Sequence, residues 1–117
     1  MMPARFVRIE SGEQIDELFE RSHQEPVALL KHSNRCGTSF DILEQMEAID
    51  GDVNVVHIQE HRALSAEIAR RTGYRHQSPQ AFVIVDGRAV YHATHYGIDP
   101  AEIQKHLSSR AAASKIE

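Results

Sequence analysis

Cys36 is the one cysteine in a chain of 117 residues, so it has no internal partner and any disulfide it makes must join another molecule. Three residues on, where a dithiol redox motif places its second thiol, stands Ser39, giving Cys36-Gly37-Thr38-Ser39. A lone thiol in that setting forms a mixed disulfide, which a second, external thiol must release by exchange. Isolated free cysteines are commonly buried as small hydrophobes, but Arg35 and Gly37 flank this one with a charge and an absent side chain. That suits access better than a sealed core. At the start of a helix, unpaired N–H groups and the helix dipole favour the thiolate and lower the pKa. Lys31, His32 and Arg35 are candidates for added positive potential, although Lys31 and His32 belong to a strand whose successive side chains face opposite ways. The hydroxyls of Thr38 and Ser39 are candidate hydrogen-bond donors to the sulfur, with ordinary first-turn polar residues as the equal alternative.

The elements that must position this sulfur follow from local pattern. Ser11-Gly12-Glu13-Gln14 reads as a capping box, and Ile15, Leu18 and Phe19 carry a helix to about Ser22. Val27 to Leu30 is a short apolar run after Pro26, as expected of a strand buried on both faces. After the polar turn Ser33-Asn34-Arg35, a stripe of Phe40, Leu43 and Met46, with Ile42 and Ile49 beside it, predicts a helix from Cys36 to near Gly51. Val53 to Ile58 is a second buried strand. Leu64, Ile68 and Ala69 predict a helix stopped at Gly73, which suits the left-handed conformation. Ala81 to Val85, Asp86-Gly87 and Ala89 to Tyr91 form a hairpin pattern, and Asp99-Pro100 starts a last helix through Ile103 and Leu107.

Strands separated by helices pair in parallel and the hairpin pairs antiparallel. The expected fold class is therefore α/β: a central mixed four-stranded sheet flanked by helices, with an extra N-terminal helix, in the thioredoxin-like order. Cys36 then lies where a buried strand gives way to a helix, the edge at which reactive groups gather in open sheets. Ser78-Pro79 stands ahead of the third strand, where thioredoxin folds carry a cis proline beside the reactive cysteine. His76 and His95, like His32, lie on segments whose ends approach this edge, and a histidine there is a candidate for tuning or protonating a leaving thiol near neutral pH.

Composition bounds the rest. Hydrophobic residues make up 41% and charged residues 26%, an ordinary globular balance for one domain, read as residues 1–110 with 111–117 as a tail. The formal charge of -4 argues against nucleic acid and anionic membranes as partners. The apolar run Pro26 to Leu30 is too short to span a bilayer, and Met1 to Glu10 lacks the apolar core of a secretory signal, so a cytoplasmic location is expected. Eight histidines include the spacings His57-x-x-x-His61 and His92-x-x-His95. Those pairs leave a strand and end a hairpin, so they lack one-face helical ligand geometry. No metal site is expected.

Lys31-His32-Ser33-Asn34-Arg35-Cys36, Gln59-Glu60-His61-Arg62, Arg75-His76-Gln77-Ser78-Pro79-Gln80 and Thr94-His95-Tyr96 together resemble the monothiol bacilliredoxin family, from about Val27 to Ile103. The resemblance implies a thioredoxin-like fold and a monothiol oxidoreductase of certain bacteria. Cys36 would take bacillithiol, a low-molecular-weight thiol and co-substrate rather than a bound cofactor, from bacillithiolated client proteins. Arg35, Gly37, Thr38, Ser39, His76, Ser78, Pro79 and His95 would bind substrate or tune the sulfur. Family members commonly have proline directly after the cysteine, where this chain has Gly37. Two other readings remain at this point: a non-catalytic thioredoxin-fold interaction module, and a metal or cluster site shared between two chains through Cys36.

Overall fold

The computed structural model describes residues 3–116, with side chains to residue 108. Its elements run β1 (Arg5–Arg8), α1 (Gly12–Arg21), β2 (Val27–His32), α2 (Gly37–Met46), β3 (Asp52–His57), α3 (Arg62–Thr72), β4 (Gln80–Val85), β5 (Arg88–Thr94), a 3-10 turn (His95–Gly97) and α4 (Pro100–Ile116). The strands form a five-stranded sheet in the order β1-β3-β2-β4-β5. β3 pairs in parallel with β1 and β2, whereas β4 is antiparallel to β2 and β5. The mixed sheet is as expected. Two details are corrected: the sheet has five strands, and because β1 precedes α1, that helix is an integral crossover rather than an extra element.

Two apolar cores follow from strand alternation, since successive side chains leave opposite faces of a sheet. Ala28, Leu30, Val53, Val55, Ala81 and Val83 pack with Ile42 and Met46 of α2 and Ile103 of α4. Val27, Leu29, Val56, Phe82 and Ile84 pack on the other face with Ile15, Leu18 and Phe19 of α1 and Ile68 of α3. Each face therefore carries two helices. Lys31 follows Leu29 onto the α1/α3 side and is fully buried there; His32 follows Leu30 onto the α2 side.

Local chemistry fixes the ends. Ser11 Oγ accepts from the Gln14 N–H at 3.2 Å, and the Gln14 amide reaches back to the Glu10 N–H at 2.6 Å, one residue before the N–H that a capping box would use. Gly73 ends α3 at φ 79, and Asp86 and Gly87 turn the hairpin at φ 51 and 76, the positive angles such a turn requires. α2 differs from expectation in extent and rotation. It ends at Met46, tight turns carry the chain to Ile49, and its buried side is Ser39, Ile42 and Met46 while Phe40 is 51% exposed. The sequence predicts a tail at residues 111–117; the backbone of α4 is helical to Ile116, and the side chains of these residues lie outside the described ones.

Candidate functional site

Cys36 is the N-cap of α2, at the end of a turn leaving β2, with extended backbone (φ -124, ψ 118) and a half-exposed side chain. Its pKa is held below the ordinary thiol range. The Ser39 N–H is the main cause; burial opposes it as the next largest effect, and the Thr38 N–H and the Thr38 and Ser39 hydroxyls add smaller contributions to the lowering. These are donors of the helix's first turn, where the dipole stabilises an anion at the N-cap, and the Ser39 N–H also donates to the Cys36 carbonyl at 3.1 Å. The chemistry available is that of an accessible, ionisable nucleophile.

The loop bearing the sulfur is pinned from two sides. Ser39, at the position of the missing second thiol, is fully buried and its Oγ accepts from the Ser33 N–H at 3.2 Å. Ser33 Oγ accepts from the Arg35 N–H at 3.2 Å and from the Gln59 amide at 2.7 Å, while Gln59 Oε1 accepts from the Asn34 N–H at 3.1 Å. Gln59, in the loop after β3, thus holds the turn that delivers Cys36. Nothing local marks this, because its partners lie 25 or more residues away, and sequence reading placed it in no site.

On the other side, the Ser78-Pro79 bond is cis, as expected. The Pro79 carbonyl accepts from the His95 N–H at 3.0 Å, and His95, exposed and at φ 53, opens the 3-10 turn. The next residue, Tyr96, is 65% exposed and donates its hydroxyl to Asp41 of α2 at 2.6 Å. Its own pKa is raised, first by Asp41 and in smaller part by the nearby Cys36 thiolate. Tyr96 therefore stands at the sulfur's rim, a second residue that sequence reading left out of the site.

The candidates for positive potential divide. Arg35 is exposed on the turn. His32 is 2% exposed, meets Phe40 and His57 edge-on at 5.0 and 5.2 Å, and has its pKa lowered by burial and then by His57. Burial holds it neutral, so it adds no charge. Lys31 points to the opposite face, where its ammonium donates to the Ser65 carbonyl at 3.0 Å and lies 3.4 Å from His76 Nδ1. His76 belongs to that cluster, with Ser65 Oγ 2.8 Å from the same nitrogen. Among the described residues, no group of three or more His, Cys, Asp or Glu side chains is placed to hold a metal ion, and no helix is long and apolar enough to cross a membrane.

Comparison with known proteins covers the stretch that contains this geometry. The family model described as Monothiol bacilliredoxin BrxC matches residues 7–103. The chain belongs to the monothiol bacilliredoxin family. Among solved structures, this bacilliredoxin is similar to a candidate oxidoreductase with a thioredoxin fold, at 28% identity and TM-score 0.71 over 94% of this chain and 93% of the other. It is also similar in fold to the thioredoxin of Malassezia sympodialis (15% identity, TM-score 0.71, 95% and 96% covered). A thioredoxin variant from Halobacterium salinarum matches at 19% identity and TM-score 0.66, with 94% of each chain covered. Family and fold together support a thiol redox role for this bacilliredoxin.

Proposed function

We propose that this bacilliredoxin is a monothiol thiol-disulfide oxidoreductase that removes bacillithiol, or a similar low-molecular-weight thiol, from mixed disulfides on client proteins. The observation that carries the reading is a half-exposed Cys36 at the α2 N-cap, its pKa lowered by first-turn donors, with Ser39 where a second thiol would stand. The Cys36 thiolate attacks the small thiol's sulfur in the client disulfide. A new S–S bond forms between Cys36 and that sulfur, the old one breaks, and the client sulfur leaves as a thiolate that takes a proton from solvent. No electrons are gained or lost overall. Ser39 has no sulfur with which to displace the adduct, so a second small thiol attacks Cys36-bound sulfur and restores the Cys36 thiolate, leaving as a symmetrical disulfide. A compartment that keeps thiols reduced suits this cycle, and the cytoplasm is the proposed location.

A test protein carrying bacillithiol on a single cysteine, followed by intact mass, checks this. Wild-type protein is expected to release the modification and to show the adduct on Cys36, and Cys36→Ser to fall to the uncatalysed rate. Release by Cys36→Ser at the wild-type rate would remove the sulfur from the mechanism.

A further inference from the structure

A cleft of about 430 Å3 opens beside the start of α3, lined by Ile58, Gln59, Arg62, Ser65, Ala66 and His76. Its lining contains no acid. The carboxylates nearest in sequence are engaged elsewhere, Glu60 with Arg8 at 2.7 Å and Glu67 with Arg70 and Arg71. Arg62 is exposed, and among the described residues its guanidinium enters no ion pair. Under the cleft floor lies the fully buried Lys31 ammonium, held by the Ser65 carbonyl and close to His76 Nδ1, with no carboxylate partner among the described residues. Because Lys31 and Ser65 occupy Nδ1, His76 keeps its ring N–H on Nε2. α3 itself begins without a side-chain cap and without an acid in its first turn, which leaves a partial positive charge at that end.

Three separate elements thus bring positive charge or donors to one cavity, and no counter-ion to them lies among the described residues. A carboxylate in the cleft could pair with Arg62 and accept from His76, with the Lys31 charge beneath it acting only through its field. The cleft also adjoins the sulfur's loop: Gln59 lines it and, with the same amide, holds Ser33 and Asn34, and Asn34 is two residues before Cys36. We propose that the cleft is a subsite for a carboxylate of the low-molecular-weight thiol exchanged at Cys36, with Arg62 as its ion-pair partner and His76 as a neutral donor. The assignment rests on the exchange reading above. It adds to that reading a recognition element for the small thiol, separate from whatever surface meets the client.

Binding can be measured without exchange. Cys36→Ser protein is titrated with S-methyl derivatives of two carboxylate-bearing thiols, bacillithiol and glutathione, and with their methyl esters, while backbone amide NMR shifts are followed. Saturable shifts at Arg62, Ser65 and His76 are expected with at least one free acid, weaker by about tenfold in Arg62→Gln, as suits loss of one charge-assisted contact, with partial rescue in Arg62→Lys. Equal binding of the esters, indifference to Arg62→Gln, or shifts confined to other residues would overturn the subsite. A kinetic arm fixes the source of the carboxylate. Arg62→Gln is expected to raise KM about tenfold, with little change in kcat, for a peptide modified by a carboxylate-bearing thiol and to leave the mercaptoethanol-modified peptide unchanged. A KM effect that follows an acidic residue of the peptide instead would overturn the assignment to the small thiol. If wild-type protein exchanges nothing while the titration behaves as expected, the exchange reading fails and the carboxylate subsite stands.

Discussion

A thiolate at a helix N-cap owes its stability mostly to backbone, and at Cys36 the Ser39 N–H outweighs the hydroxyls beside it. Side-chain substitution should therefore move the thiol only part of the way back. Iodoacetamide alkylation followed against pH is expected to give a lower midpoint for native protein than for the urea-unfolded chain. Thr38→Val is expected to raise that midpoint by less than the whole difference, because both N–H groups remain. Coincident native and unfolded midpoints would contradict the site's electrostatics. The sign also fixes a linkage: a depressed thiol pKa adds stability above the unfolded value, and that contribution disappears as pH falls through the native one. The cysteine's place at a strand-to-helix junction was legible in sequence, since the apolar run before it and the stripe after it are local. The identities of the groups around it were not. Gln59 and Tyr96 reach the site through hydrogen bonds across 25 and 55 residues, and a polar residue in a loop carries no mark of such a bond.

At the scale of the element, α2 begins with Gly37, where the family resemblance leads to an expectation of proline. Proline is well suited to the first position of a helix, where its missing N–H has no intrahelical acceptor. It requires extended backbone at the residue before it, which Cys36 already has at φ -124 and ψ 118. A Cβ added at Gly37 would meet nothing within 4 Å. Gly37→Pro is therefore expected to stabilise the protein by roughly 0.5–1 kcal/mol, chiefly by restricting the unfolded chain, and to raise Tm by about 3–6 °C. Thermal unfolding of the two proteins measures it, and a lowered Tm would show that the turn depends on a conformation proline denies. Legibility among the elements follows locality. Ser11, Gly73, Asp86-Gly87 and Asp99-Pro100 mark their ends by chemistry confined to a few residues, and each end was readable. β1 has four residues with an exposed arginine at either end, and what makes it a strand is pairing with β3, where Arg5 meets Asp52 at 2.9 Å. α2's rotation escaped for a related reason. Its apolar stripe offered Phe40 to the core, but Phe40 meets His32 only edge-on, and the burial goes to Ser39, which anchors the turn bearing Cys36.

Across the whole molecule the sheet divides its work, with the sulfur's helix packed on one face and a buried amine on the other. Lys31 carries its ammonium into the core beneath α3, with a carbonyl and an imidazole for partners rather than a carboxylate. Burial lowers its pKa from 10.5 to about 8. Between those values the unfolded chain binds a proton that the native protein does not, so stability rises with pH across that window. The native protein carries the full cost of the buried charge only below about pH 8. From pH 7.5 to 9.5 the gain from this one group is roughly 2 kcal/mol. The measurement is urea unfolding in a Cys36→Ser background, which removes the thiol's own upward contribution, and it stops short of the range in which Tyr91 and Tyr96, their pKa values raised, begin to oppose the trend. Lys31→Met keeps the aliphatic stem and removes the charge, so its stability is expected to be flat over the same interval. A Cys36→Ser protein whose stability did not rise while Lys31 was present would mean that the amine is as well solvated as a free lysine, and its buried place beneath the α3 cleft would be lost.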